Sequence, residues 1–253
     1  MKKATRVVAI VALILGGVVV LATAGIVIWS AVGTYPPGPV ALEAMESNDT
    51  VSVVEDGIIG FLPSERDGEL GVVFYPGGLV DPVAYAPVLR RIAEEGIPVF
   101  ITPMPLNLGI LNTGAANRVF EEYPDITTWV LAGHSLGGAS AGIFAAANPE
   151  VIDGLVFWDS YPPASADLSD RDLPVLSIHG TTNGIPNTDN FDEQRRLLPP
   201  DTHYAPIEGA SHAQFGDYGP QAGDVVPELS LEEQHQAVSV LMMDFLDRLR
   251  PDR

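Results

Sequence analysis

Residues 127–147 constrain this chain more than any other stretch. Positions 127–132 are a run of β-formers, positions 138–147 are small helix-compatible residues, and only Gly133-His134-Ser135-Leu136-Gly137 separates them. With so short a connection the backbone passes from strand directly into helix. The residue at the apex, Ser135, takes a strained conformation that glycines two positions to either side make possible. The turn lifts the Ser135 hydroxyl above a sheet edge at a helix N-terminus, where the Leu136 amide faces any negative charge developing nearby. A G-x-S-x-G pentapeptide by itself is weak evidence, but between an apolar strand and a small-residue helix it is specific.

The flanking sequence fits such a turn into a repeated pattern. Short strands are expected over 50–54, 58–62, 71–75, 97–102, 127–132, 154–158, 173–178 and 202–207. Helical spacing is expected over 82–95, 115–123, 138–147, 190–198 and 231–250. Apolar strands alternating with helices imply an α/β fold with a mainly parallel sheet covered by helices on both faces. The 25 glycines and 22 prolines suit the many tight connections of such a fold.

Ahead of this region the chain reads differently. Lys2, Lys3 and Arg6 open it, and residues 7–32 contain no charge. About 20 apolar residues suffice to cross a bilayer as a helix. The expected organisation is a basic stub at 1–6, a single transmembrane anchor at 7–32, a linker at 33–48 carrying Tyr35-Pro36-Pro37-Gly38-Pro39, and a folded domain at 49–253. The excess of basic residues at the amino end predicts a cytoplasmic N-terminus and a domain outside the cell membrane. Ala22-Thr23-Ala24 supports the alternative of a cleaved signal and secretion. Membrane lipid is thus an expected partner.

Charge and cysteine content remove several functions. A formal net charge of -20 disfavours nucleic acid as a partner, because Lys and Arg supply the phosphate contacts. Without a cysteine there is no thiolate nucleophile, disulfide or thiolate metal site. No carboxylate or histidine pair at metal-ligand spacing stands out, and no glycine fingerprint for a nucleotide is present, so neither metal nor cofactor is expected.

Three segments together resemble the α/β-hydrolase superfamily, and in detail its lidless branch related to dienelactone hydrolases, the α/β-hydrolase fold-5 family. They are Tyr75-Pro76-Gly77-Gly78 after a strand, the elbow at 133–138, and Glu208-Gly209-Ala210-Ser211-His212-Ala213-Gln214-Phe215-Gly216-Asp217-Tyr218-Gly219 near the end. The resemblance implies a serine hydrolase with Ser135 as nucleophile, His212 as general base, and Gly78 and Leu136 as oxyanion donors. His134 is expected to point away from the hydroxyl, and His235 to lie on the solvent face of the last helix.

The acid departs from the pattern. Relatives place an aspartate in a Gly-x-x-Asp-Gly loop, which here reads Gly180-Thr181-Thr182-Asn183-Gly184. Asp159, at the end of the preceding strand, is the expected replacement, with Asp189 or an Asn183-assisted Ser-His pair as alternatives. Only residues 160–172 separate two successive strands, which leaves no room for a large lid. The expected reaction is hydrolysis of small to moderate carboxylic esters. Thioester, lactone or peptide cleavage and a non-catalytic hydrolase-like binding module are the alternatives.

Overall fold

The computed structural model describes residues 2–182, 184–185 and 191–250, with backbone alone for 2–7, 9, 191 and 192. Its contacts divide the chain into Met1–Thr34 and Tyr35–Arg253.

The first unit is one helix, α1 (Lys2–Gly33). Its Ile10–Gly33 portion is 24 residues long with a mean hydropathy of 2.7, enough to cross a membrane by length and composition.

The second unit is an eight-stranded sheet. Its strands are β1 (Val51–Glu55), β2 (Ile59–Pro63), β3 (Leu70–Tyr75), β4 (Val99–Ile101), β5 (Thr128–His134), β6 (Gly154–Trp158), β7 (Val175–Gly180) and β8 (His203–Ile207). The order across the sheet is β1-β2-β4-β3-β5-β6-β7-β8. β1 and β2 are antiparallel to their neighbours and all other pairs are parallel. Helix α2 (Pro39–Glu43) precedes β1, α3 (Ala86–Glu94), α4 (Ala116–Glu122), α5 (Leu136–Ala147) and α6 (Phe191–Arg195) run between strands, and α7 (Leu231–Leu249) closes the fold.

Strands buried on both faces read as continuous apolar runs, and alternate residues feed two cores. Val72, Phe74, Val130, Ala132, Val156 and Trp158 join Val88, Leu89 and Ile92 of α3 and Val238, Met242 and Phe245 of α7. On the other face Val73, Tyr75, Leu131, Leu155 and Phe157 meet Val119 of α4 and Phe144 of α5. A capping box starts α7, with the Ser230 hydroxyl accepting from the Glu233 amide and the Ser230 amide donating to the Glu233 carboxylate.

Register places the site. His134 pairs with Trp158 across β5 and β6. The next residue of each strand, Ser135 and Asp159, therefore leaves the sheet beside the other at its carboxyl edge, where open α/β sheets bind ligands.

Candidate active site

The elbow has the strain that its sequence implies. Ser135 sits at φ 51°, ψ -123°, a region that residues with a Cβ seldom occupy. Close approach explains the glycines around it. A Cβ on Gly133 would lie 2.6 Å from the carbonyl carbon of Gly137, and one on Gly137 would overlap the carbonyl oxygens of Tyr75 and Pro76. The strained residue is fixed from both sides: its amide donates to Trp158 O at 3.1 Å and its carbonyl accepts from Ser160 Oγ at 2.5 Å.

Asp159 has the same kind of backbone, with φ 45°. Its amide donates to Ile178 O at 2.7 Å, and its Oδ1 accepts from the Gly180 amide at 3.3 Å. His212 Nδ1 lies 2.5 Å from Asp159 Oδ2, and the two side chains are 1% and 2% exposed. Burial raises the Asp159 carboxyl above its ordinary value, opposed by the bond from His212. With Nδ1–H donating to the carboxylate, His212 Nε2 is the nitrogen with a free lone pair. That atom is buried and has no hydrogen-bond partner among the described residues.

The loop after β8 passes close over the end of β7 on its way to β6. Gly180 has no side chain there, and a Cβ would overlap Ala210 O. Thr181 N bonds Ile207 O and Thr182 N bonds Ala210 O, so the loop is laid across the strand end. Both neighbours of His212 are then held by side chains. Gln234 of α7, itself fully buried, accepts from the Ser211 amide at 3.0 Å and donates to the Ser211 carbonyl at 2.8 Å. Asp224 Oδ2 accepts from the Ala213 amide at 2.7 Å.

The loop after β3 supplies the facing side. The Gly77 amide donates to Tyr85 Oη at 3.0 Å, and that hydroxyl lies 2.8 Å from His134 Nδ1. Gly78 packs on the elbow, since a Cβ there would lie 2.9 Å from Leu136 Cδ2. His134 is fully buried, 4.4 Å from the His212 ring and stacked on Phe215 at 5.6 Å. Burial, and then the neighbouring His212, push its pKa well below the ordinary histidine value, so it stays neutral beside His212.

The structure thus brings Ser135 beside Asp159, His212 onto Asp159, and Gly78 against Leu136. Asn183 and Asp189 lie outside the described residues. His235 is a correction: it is 1% exposed, turned into the core face of α7 rather than to solvent. Tyr85, Gln234 and Asp224 carry no sequence motif. Gln234 does leave a trace, a polar residue at a core-facing position of α7 three residues after Leu231 and four before Val238.

The buried His235 makes folding sensitive to acid. Desolvation, then the charge of Arg91, lower its pKa to about 4, against the pull of Asp217 and Glu232. An unfolded chain takes up that proton near pH 6.5. The unfolded state therefore binds more protons between these values, and stability that is intact above about pH 6.5 declines as the pH falls toward 4. The loss from this residue is roughly 3 kcal/mol. Urea midpoints at pH 7.5 and 5 are expected to differ less in His235→Gln than in the wild type; an equal difference would assign the acid sensitivity elsewhere.

Comparison with known proteins agrees with this architecture. The profile of the alpha/beta hydrolase family matches residues 71–236. No curated protein matches the chain in sequence. Among solved structures, the fold is similar to an alpha/beta hydrolase enzyme from a lagoon-sediment metagenome of Mar Chica, Morocco. That likeness has 21% identity and a TM-score of 0.54, over 79% of this chain and 99% of the other. The dienelactone hydrolase of Anabaena variabilis is similar at 18% identity and a TM-score of 0.54, over 78% and 97% of the two chains. The carboxylesterase CesB of Bacillus subtilis gives 14% and 0.57, over 81% and 94%. With the family profile covering both the elbow and the histidine loop, the chain belongs to the alpha/beta hydrolase family.

Proposed function

We propose that this hydrolase cleaves carboxylic esters of small to moderate size through an acyl-enzyme on Ser135, with His212 as base and Asp159 as the acid. The observation that carries the reading is the buried 2.5 Å contact between His212 Nδ1 and Asp159 Oδ2, one strand from a serine held at positive φ. A serine hydroxyl is a weak nucleophile until its proton is removed. His212 Nε2 takes that proton as Ser135 Oγ attacks the ester carbonyl, and Asp159 fixes the tautomer and stabilises the imidazolium. The Gly78 and Leu136 amides receive the oxyanion; among the described residues no acceptor takes either of them. The alcohol leaves with the proton from His212. Water, deprotonated by the same nitrogen, then attacks the acyl-enzyme, releasing the acid and restoring Ser135.

The short connection between β6 and β7 supports substrates of small to moderate size, because it has no room for a large lid. Helix α1 serves as the membrane anchor in this reading, with the hydrolase domain outside; carbonate-resistant sedimentation of the full chain, reversed by detergent, is the corresponding observation.

The decisive experiment pairs a fluorophosphonate label with hydrolysis of short p-nitrophenyl esters. Wild type is expected to label at Ser135 and turn over, and Ser135→Ala to do neither, with kcat reduced by roughly 10⁶-fold. A wild type that neither labels nor hydrolyses, or a Ser135→Ala variant that still turns over, overturns the assignment.

A further inference from the structure

The candidate site has two halves on loops from separate strands, the Gly77-Gly78 loop after β3 and the His212 loop after β8, with three strands between them in the sheet. One tie joins the two regions directly, from the Asp217 amide to Ala84 O at 2.8 Å. The second tie is the segment that follows α1. The Tyr35 amide donates to Leu79 O at 2.8 Å, and Tyr35 O accepts from the Asp81 amide at 3.0 Å, adding an extended residue to the edge of the loop beside Gly78. Its ring lies 5.7 Å from that of Tyr218, and its hydroxyl accepts from the Ala222 amide at 3.3 Å, both on the histidine side. Three residues on, the Gly38 amide donates to Asp217 O at 2.6 Å, and the Asp217 carboxylate accepts from the Ala41 amide at 2.9 Å. A Cβ at position 38 would overlap that carboxylate, so any larger residue has to displace the Asp217 side chain from the Ala41 amide.

We propose that Tyr35 is a positioning residue for catalysis, and that the strap 35–41 sets the distance between the oxyanion amides and the base. This inference rests on the serine hydrolase reading. Backbone bonds hold the strap to the oxyanion loop, whereas the Tyr35 ring and Gly38 hold it to the histidine loop. Tyr35→Ala removes the ring contact with Tyr218 at the margin of the first core, and Gly38→Ala displaces the Asp217 carboxylate, so each loosens the strap's hold on the histidine loop while the Asp217–Ala84 bond remains.

The test uses the full chain in detergent, with short p-nitrophenyl esters and fluorophosphonate labelling of Ser135. Tyr35→Ala and Gly38→Ala are each expected to lower kcat and the labelling rate by at least ~10-fold, toward the ~10²-fold that a 1 Å misplacement costs. KM is expected to stay within about threefold, because the substrate-facing groups are unchanged. Tyr35→Phe keeps the ring on Tyr218 and is expected to recover most of the rate, which loss of stability alone would not produce. If Tyr35→Ala does not fold, Gly38→Ala decides, since it leaves the Tyr35 ring in place. Unchanged kcat in a folded Gly38→Ala, with Ser135→Ala inactive, overturns this inference alone. Activity surviving in Ser135→Ala, or absent from wild type, overturns the catalytic reading and this inference with it.

Discussion

Asp159→Asn is expected to lower kcat for esters by about 10⁴-fold, the loss that follows when the orienting carboxylate of a serine–histidine–aspartate system becomes an amide. The substitution is clean here for a structural reason. Asp159 sits at φ 45°, and asparagine tolerates that region as well as aspartate does. The Gly180 amide can still donate to the remaining carbonyl oxygen. What changes is the partner of His212 Nδ1. An amide NH2 turned toward the ring donates to Nδ1, which leaves the proton on Nε2, the nitrogen proposed to accept one from Ser135. KM is expected to change little. Steady-state kinetics on a variant with wild-type far-UV circular dichroism measures this, and a loss smaller than tenfold would remove Asp159 from the role.

Gly137→Ala is expected to abolish activity and destabilise the domain by about 3 kcal/mol, at the upper end of the usual cost of forcing an extra carbon into a packed site. The added Cβ would overlap the carbonyl oxygens of Tyr75 and Pro76, which are backbone atoms at the end of a central strand and cannot turn away as a side chain can. Either α5 or the loop after β3 has to move, and Ser135 and Gly78 ride on those two elements. A domain of this size loses roughly 2–4 °C in Tm per kcal/mol, so a fall of about 6–12 °C is expected. Gly114→Ala provides the contrast: its Cβ would meet Asn117 Nδ2 at an ordinary 3.5 Å, and its effect is expected within about 0.5 kcal/mol. Similar melting temperatures for the two variants would contradict the packing argument.

The strand and helix alternation was legible because each buried strand is a continuous apolar run and each covering helix carries a stripe. The strand predicted at 154–158 has those same bounds in the structure. The elbow was legible because its glycines are dictated by local backbone geometry. His235 was misread because an imidazole among the glutamates and glutamines of α7 looks like part of a polar face, while its burial depends on how α7 packs against the sheet. The Gln234 clamp and the Tyr85–His134 contact join residues 23 and 49 positions apart. Such pairings have no local signature, since the register of the sheet and the docking of α7 create them. For the same reason the sequence reads residues 33–48 as linker, whereas Tyr35, Gly38 and Ala41 bond to loops far along the chain.

The two residues held at positive φ at the ends of adjacent central strands have a consequence for how the protein loses activity. Strain of this kind persists only where the surroundings over-determine it, and here each amide is bonded to the neighbouring strand, Ser135 to Trp158 and Asp159 to Ile178. Amides bonded in this way between central strands are expected to exchange with solvent by global unfolding rather than by local fraying. A partial opening that relaxes the serine while sparing the fold has no place in such an arrangement. Thermal inactivation and loss of tertiary structure are therefore expected to share one midpoint, checked by following residual activity and near-UV circular dichroism on the same heated samples.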